Sequence, residues 1–367
     1  MALCTGAAAG GRLTQLASGA QTRRHRPWCG AAPRHCLLLP PAPQHRARAL
    51  AESASQASSL PGELQVAAEA TAAALSCWEV DFCSRPLVDE RGKKVWELLV
   101  CDTSGTSLRY SEYFPNNRIN SAELRAALQR LAEALPGATL PTVIRFFRAP
   151  MQTIISRACA ELGPSVRVLP SRRCFALQAW LQQRQATLYP SLPNFDSSAA
   201  PLVTMDPGPP QALPDALRGE RWAFVSLPLE GVLQEAERVR RAEAFGSVFE
   251  PNMAGVDPAA LAAGGVNIPG VVVLSRRADA LAGWTNGLEI ASLTPETRTA
   301  SLLLETGVSQ RWTYASWRKS AAANAEADAW QQAKAQAQGL HFLCVTADEQ
   351  APAAGFWMCR DVDAKAL

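Results

Sequence analysis

The sequence predicts an α/β protein of the α+β type with two domains. Its 367 residues are 48% hydrophobic and 19% charged, a balance typical of globular proteins with a substantial core. Short segments with alternating apolar residues, typical of strands, are interspersed with segments whose leucines recur at helical spacing. A proline-rich stretch separates two such groups. The predicted organisation is a leader (1–60), an N-terminal α/β domain (76–187), a linker (188–219), a C-terminal α/β domain (220–360) and a tail (361–367).

Residues 1–60 have the composition of an organelle transit peptide. They hold seven of the 36 Lys and Arg residues of the chain but only one of its 33 Asp and Glu residues. Such an arginine-rich, acid-poor segment is typical of targeting sequences and cannot bury a core. Composition alone does not separate chloroplast from mitochondrion. Since the rest of the chain has a slight excess of acids, a nucleic acid would have to bind at local basic patches.

The N-terminal domain begins with three predicted antiparallel strands. On the first of them, apolar residues from Trp78 to Phe82 alternate with acids, which indicates one buried face. Asn120, with Glu123 three residues later, predicts a capped helix start. The order of three strands followed by alternating helices and strands predicts a ribonuclease-H-like domain. The segments are strands Trp78–Phe82, Val95–Asp102 and Leu108–Phe114, a helix from Asn120, strand Val143–Phe147, helix Met151–Leu162, strand Val166–Leu169 and helix Phe175–Arg184.

The C-terminal domain is predicted to contain a mixed sheet with flanking helices. Its apolar runs have strand length, and two charged or alanine-rich segments between them have helical spacing. The predicted strands are Trp222–Leu227, Val271–Ser275, Gly287–Leu293, Ala300–Glu305, Arg311–Trp317, Leu340–Thr346 and Phe356–Cys359. The predicted helices are Glu230–Ala244 and Glu326–Gln338, and Met253–Asn267 is predicted to be a Gly/Ala-rich loop.

The sequence lacks the motifs of common enzymes. His341 is the one histidine after residue 60 and lies in an apolar strand, so we expect a core histidine. No nucleophile-elbow, Walker or dinucleotide-binding motif is present, and the cysteines after residue 60 form no Cys-x-x-Cys pair. We therefore expect buried free thiols, no cofactor and no metal. The longest apolar runs, such as Val271–Leu274, fall far short of the roughly 18 residues of a membrane span.

A metal-dependent nuclease is the enzyme that the predicted fold makes worth weighing. Two-metal hydrolysis needs several carboxylates that converge on the ions. Asp81 on the first strand and Glu123 in the first helix stand where two such acids could lie. Arg145 and Arg148 occupy the end of the fourth strand, where a third acid would be needed, and cations there would compete with metal ions. We therefore expect such a fold to be catalytically inactive.

Basic residues recur beside aromatic residues at several places in the sequence. Guanidinium groups pair with phosphates and exposed rings stack on unpaired bases, so this pattern suits single-stranded RNA. The alternative is that the rings face the core and the arginines are merely solvated. The candidate RNA-binding residues are Arg145, Arg148, Arg172, Arg173, Arg276, Arg277, Trp284, Arg311, Trp312, Tyr314, Trp317, Arg318 and Lys319.

Several longer strings carry a resemblance to a known family. They are Trp78–Pro86, Asp89–Leu98, Glu112–Ser121, Ile144–Arg148, Met151–Ile155, Ser171–Arg173, Trp284–Ile290, Gly339–Leu343 and Gly355–Trp357. Together they closely resemble the plant, algal and cyanobacterial RNA-binding translation activators of the Tab/Atab type, first linked to the message for the photosystem I B subunit. The resemblance covers roughly residues 77–360.

The resemblance implies a chloroplast stromal protein without enzymatic activity. It would bind the A/U-rich 5′ leader of a photosystem message, not DNA, and activate translation together with other factors in a ribonucleoprotein complex. This would support biogenesis of photosystem I, with photosystem II as a second candidate. Family members place aliphatic residues after Gly355, Phe356 and Trp357, a tail associated with function, whereas this chain continues with Met358-Cys359-Arg360.

The leading hypothesis is therefore an RNA-binding translation activator. The second is a photosystem assembly factor that acts through protein–protein contacts and contacts RNA only indirectly. The metal-dependent nuclease is the third.

Overall fold

The computed structural model of the protein describes residues 62–138, 140–199 and 208–361. The predicted leader lies outside these ranges, as do residues 200–207 of the predicted linker and 362–367 of the predicted tail. The described residues all belong to one compact unit. The division into two domains therefore stays a prediction.

The N-terminal sheet has six strands. They are β1 (Glu63–Val66), β2 (Cys77–Val88), β3 (Lys94–Asp102), β4 (Leu108–Phe114), β5 (Val143–Phe146) and β6 (Arg167–Pro170). Their order across the sheet is β1-β4-β3-β2-β5-β6. β3 is antiparallel to both β2 and β4. β5 runs parallel to β2, and β6 runs parallel to β5. The predicted order of three antiparallel strands followed by alternating helices and strands is confirmed, with β1 added at the edge.

Three helices cover this sheet. They are α1 (Ser121–Ala134), α2 (Gln152–Ala160) and α3 (Phe175–Gln183), the last continued by a π-helical turn, Arg184–Leu188. α1 and α2 pack against the apolar face that carries Trp78 and Phe82. α3 packs on the opposite face, which carries Leu99 and Cys101. α1 begins as predicted, because the Asn120 side chain accepts a hydrogen bond of 2.9 Å from the backbone N–H of Glu123.

The C-terminal strands form two sheets. The strands are β7 (Gln211–Ala212), β8 (Arg221–Leu227), β9 (Phe245–Ser247), β10 (Ile268–Leu274), β11 (Ile290–Glu296), β12 (Ser301–Thr306), β13 (Gln310–Ser316), β14 (Leu340–Thr346) and β15 (Gly355–Arg360). One sheet is mixed, with the order β8-β10-β14-β15-β9, and the other has the order β11-β12-β13-β7. The predicted mixed sheet is confirmed in the first, whereas the meander β11–β13 separates into the second.

Four helices flank these two sheets. They are α4 (Leu229–Arg240), α5 (Pro258–Ala263), α6 (Ala278–Thr285) and α7 (Ala321–Gln336). A core between the sheets joins apolar residues of β10, β14 and β15 to those of β11 and β12, with Leu281 of α6 and Trp330 of α7. A second core lies under α4. Among the residues described, none of the helices has both the length and the apolar character needed to cross a membrane.

Four C-terminal elements were not predicted, and the first of them is β7, a two-residue strand within the predicted linker. β9 is only three residues long and pairs with β15, far away in sequence. α5 lies within the predicted Gly/Ala-rich loop and is capped by Asp257, which accepts hydrogen bonds from two backbone N–H groups. α6 is short and rich in small residues. In the predicted linker, Leu213 and Leu217 are buried in the C-terminal core, so residues 208–219 are packed against it.

Candidate nucleic-acid interface

Arg148 and Asp81 lie in a buried ionic cluster on the α3 side of the N-terminal sheet. Arg148 Nε donates to Asp81 Oδ1 at 2.5 Å, and Arg85 Nη1 lies 2.9 Å from Asp81 Oδ2. Burial would raise the pKa of the Asp81 carboxyl, but these two guanidinium groups lower it below its usual value. We call Asp81, Arg85, Glu97, Arg148 and Arg184 the inner network.

Glu97 is the second carboxylate of the inner network. Arg85 Nε lies 2.7 Å from Glu97 Oε2, and the Tyr189 hydroxyl donates to the same oxygen at 2.6 Å. Arg184 binds the other oxygen of Glu97 and lies 3.9 Å from Glu63. The inner network is thus internally paired and buried, which makes Arg148 a structural residue rather than a phosphate ligand.

The two acids considered for a nuclease are both engaged by cations. Asp81 pairs with Arg85 and with Arg148, which follows β5. Cations at the end of this strand were predicted from the sequence. Glu123 pairs with Arg118 at 2.5 Å in the first turn of α1. Among the described residues, no three His, Cys, Asp or Glu side chains are grouped as metal ligands.

A second polar cluster joins the N-terminal and C-terminal sheets. Arg172, in the loop between β6 and α3, pairs with Glu305 of β12 and donates from Nε to the Val308 carbonyl at 2.8 Å. The Ser171 hydroxyl donates to Glu289 Oε1 at 2.6 Å. We call this cluster the seam, and its residues are Arg145, Ser171, Arg172, Arg173, Ser247, Glu289, Glu305 and Arg311.

Two further arginines of the seam share the same carboxylates. Arg145 Nε lies 3.5 Å from Glu289 Oε1, and Arg311 Nε lies 3.3 Å from Glu305 Oε1. Their side chains are 24% and 21% exposed, so both remain in contact with solvent. The four seam arginines, all predicted as phosphate contacts, are thus brought together by the structure.

Arg173 differs from the other seam arginines because it forms no ion pair within the described chain. It is only 7% exposed. Its guanidinium donates to the Ser247 hydroxyl and lies 5.3 Å above the Phe249 ring. Its pKa is lowered by burial and by the nearby charge of Arg145, which outweigh the attraction of Glu289.

The rings predicted on β13 mostly face the core. Tyr314 and Trp317 are 7% and 8% exposed. Trp317 Nε1 donates to Asn324 at 3.2 Å, and Trp312 Nε1 donates to Thr306 at 2.8 Å while its ring packs on the core. Stacking on bases requires an accessible ring face. The interpretation of Tyr314 and Trp317 as stacking residues is therefore wrong, because the hydrophobic effect places these rings between the sheets.

The accessible candidates lie around α6 and after β13. Trp284 is 62% exposed, and Arg276 and Arg277, which precede α6, are exposed as well. Arg277 is the residue immediately before α6, and Trp284 lies in the last turn of that helix. Arg318 and Lys319 are exposed after β13, and Lys319 Nζ donates to the Arg298 carbonyl at 3.2 Å.

Phe245 is an exposed ring that sequence reasoning missed. It is 45% exposed on β9, and a β-carbon built at Gly283 would lie 3.8 Å from its Cζ atom. Phe245 therefore lies beside the helical residue that precedes Trp284. A sequence signal existed, since the pair Arg240-Arg241 ends four residues before Phe245 and a glycine follows it, but no strand was predicted there.

The predicted functional tail, Gly355–Trp357, is an interior strand segment. Phe356 and Trp357 are 0% and 1% exposed. At Gly355 a β-carbon would lie 2.4 Å from the Trp357 ring, so a larger residue cannot fit without movement. Phe356 and Trp357 pack in the C-terminal cores, and the functional role that the resemblance implies for this segment stays a prediction.

His341 and most of the described cysteines are core residues, as predicted. His341 Nε2 accepts a hydrogen bond of 3.0 Å from the Leu293 N–H, and Nδ1 lies 2.8 Å from the Gly339 carbonyl. Burial, helped by the charge of Lys334, lowers the pKa of His341 to about 4. The seven cysteines of the described chain are free, and five of them are buried.

Comparisons with known proteins place both halves of the described chain in one family. The chain matches two family descriptions, "RNA-binding protein Tab2/Atab2 N terminal" over residues 77–184 and "RNA-binding protein Tab2/Atab2, C-terminal domain" over residues 200–360. It is 46% identical over 288 residues to "Protein TAB2 homolog, chloroplastic" of Zea mays, covering 78% of this chain and 71% of the maize protein. The chain belongs to the Tab2/Atab2 family. It is also 42% identical over 297 residues to the Arabidopsis thaliana protein of the same name, covering 80% of this chain and 77% of that protein.

The seam requires both segments of the Tab2/Atab2 family. Arg145 and Ser171–Arg173 come from the N-terminal match, and Glu289, Glu305 and Arg311 come from the C-terminal match. The polar junction is thus a property of the two segments together.

Proposed function

We propose that the chain is a chloroplast stromal RNA-binding protein that binds the A/U-rich 5′ leader of a photosystem message and activates its translation. The observation that carries this proposal is the membership of both segments in an RNA-binding family. The name "chloroplastic" on the maize and Arabidopsis relatives supports the compartment. The motif resemblance to activators of the photosystem I B-subunit message supports the target, and other translation factors act with it in a ribonucleoprotein complex.

The accessible side chains suit a single strand better than a duplex. Trp284 and Phe245 are large rings exposed to solvent, and rings of this kind stack on unpaired bases. Arg276 and Arg277 supply exposed cations just before α6, the helix that carries Trp284. A/U-rich leaders pair weakly and therefore present unstacked bases, which fits a site built on rings rather than on groove contacts.

The protein acts by binding rather than by catalysis. Asp81, the strongest carboxylate candidate for a nuclease centre, is paired with two buried arginines. Release of this carboxylate to a metal ion would leave Arg148 unpaired in the interior and Arg85 with Glu97 alone, at a cost of several kcal/mol.

The test is a binding titration of the purified chain with a single-stranded A/U-rich leader of a photosystem I message. A G/C-rich strand and the duplex form of the leader serve as matched competitors. We expect preference for the single A/U-rich strand and an affinity that falls as salt rises, with a slope of about −0.7 per phosphate contacted. Affinity independent of salt contradicts the proposal. Failure to bind any RNA, with co-purification of photosystem subunits, would select the assembly-factor hypothesis instead.

A further inference from the structure

The charges of the seam are not matched. The seam holds four guanidinium groups but only two carboxylates, those of Glu289 and Glu305. Arg145 pairs with Glu289, and Arg172 and Arg311 pair with Glu305, whereas Arg173 pairs with neither. Glu79, the register partner of Arg145 on the neighbouring strand β2, does not restore the balance, because burial raises its pKa to about 8 and keeps it mostly protonated at neutral pH.

The excess of positive charge is greatest at Arg173, which has no carboxylate partner in the described chain. A buried cation without a carboxylate is costly, and proteins normally pair it. Its partners in the described chain are the neutral Ser247 hydroxyl and the face of Phe249. An anion that reached this guanidinium would therefore gain a charge-assisted hydrogen bond without displacing an acid.

The seam is connected directly to the exposed rings. Ser247, the partner of Arg173, lies two residues after Phe245 on β9. The Gly246 N–H between them donates to the Asn286 side chain at 3.1 Å, and Asn286 follows α6, which carries Trp284. β9 and the end of α6 thus hold the cation and the two rings in one continuous stretch of structure.

We propose that the seam binds one phosphodiester of the RNA through Arg173 and that Phe245 and Trp284 stack on the neighbouring unpaired bases. This inference rests on the proposed function and specifies its site. Arg145, Arg172 and Arg311 supply the surrounding positive field, while Glu289 and Glu305 hold the two sheets together. The N-terminal segment contributes the phosphate ligand, and the C-terminal segment contributes the stacking surface.

The experiment compares four variants on two strands, the A/U-rich leader and the same backbone with abasic positions. Arg173→Gln should weaken binding to both strands about tenfold and reduce the salt slope by about 0.7, the contribution of one phosphate. Trp284→Ala and Phe245→Ala should each weaken binding to the intact leader by about 5- to 100-fold and leave binding to the abasic strand unchanged. Arg173→Lys, which keeps the charge, should restore most of the salt slope.

Matched controls come from surface residues elsewhere in the N-terminal sheet region. Arg157→Gln removes an arginine whose side chain is 73% exposed, and Phe195→Ala removes a ring that is 38% exposed. Both should bind either strand like the parent chain. Thermal unfolding of every variant checks the fold, and the two ring variants, which are at the surface, test the proposal even if Arg173→Gln does not fold.

The outcomes separate the two proposals. If the parent chain binds no RNA, the proposed function fails. If it binds RNA and the Arg173 and ring variants bind equally well, the seam inference alone is overturned. Inorganic phosphate, matched in ionic strength with chloride, provides a further arm. A phosphate-dependent rise in Tm that Arg173→Gln abolishes, with its RNA affinity unchanged, would assign the seam to free phosphate and overturn the inference.

Discussion

The inner network and the seam are built from the same residue types, but their charges are balanced differently. In the inner network, Arg85, Arg148 and Arg184 each contact a carboxylate, and the group lies beneath α3. In the seam, Arg173 contacts none within the described chain and its neighbours reach solvent. Arginines beside aromatic residues in sequence can thus be fully paired in the interior or remain without a carboxylate partner, and the number of nearby carboxylates decides which.

The largest expected effect comes from removal of an inner-network carboxylate. Glu97→Gln leaves the Arg85 and Arg184 guanidinium groups without full compensation in the interior. We expect a loss of about 3 to 5 kcal/mol in the free energy of unfolding, measured by urea denaturation. The RNA affinity of the folded fraction should not change. A stability loss below about 1 kcal/mol would mean that the inner network does not depend on matched charge.

A smaller effect, dependent on pH, is expected at Glu79. Its pKa is raised from 4.5 to about 8 by burial, against the hydrogen bond from the Leu177 N–H. The folded chain therefore keeps a proton that the unfolded chain releases, so this contribution to stability is complete below pH 4.5 and is lost as pH rises through 8. Glu79→Gln cannot ionise.

The free energy of unfolding of the variant, relative to that of the parent chain, should therefore rise by about 1 to 3 kcal/mol between pH 5 and pH 7. Urea unfolding at several pH values measures the difference. Parallel pH profiles for the two chains would show that Glu79 is ionised in the folded state.

The smallest effect is expected where a seam carboxylate is removed. Glu305→Gln takes a partner from Arg172 and Arg311, whose side chains are partly exposed. Solvent screening limits the loss of stability to about 1 kcal/mol. The net charge of the seam becomes more positive, so RNA affinity should rise several-fold at low salt and less at high salt. Weaker RNA binding with unchanged Tm would contradict the charge balance described for the seam.

The sequence predicted those helices and strands that are determined by residues close together in the chain. The Asn120 cap, the apolar alternation on β2 and the leucine stripe of α1 depend on residues close together, and the structure confirms them. β9 was missed because its pairing with β15 is a long-range event, and a strand of three residues has no periodicity to detect.

The pairing of charged residues could not be predicted for the same reason. Acids on β2 alternate with apolar residues, a pattern that fits a solvent-facing edge as well as a second buried face. Asp81 and its partner Arg148 are 67 positions apart, so no local pattern joins them. For the rings on β13, alternation indicated that one side is buried but not which side, and the second sheet decided it.

The position of β15 has a consequence for the order of folding. β15 lies between β14 and β9, so β9 has no sheet neighbour until residues 355–360 have left the ribosome or emerged from an import channel. Phe245 and the Ser247 hydroxyl are therefore among the last groups to be fixed, although they are made much earlier. A nascent chain would lack the finished form of the proposed RNA surface, and on that proposal RNA affinity would arise only once the strand made last is in place.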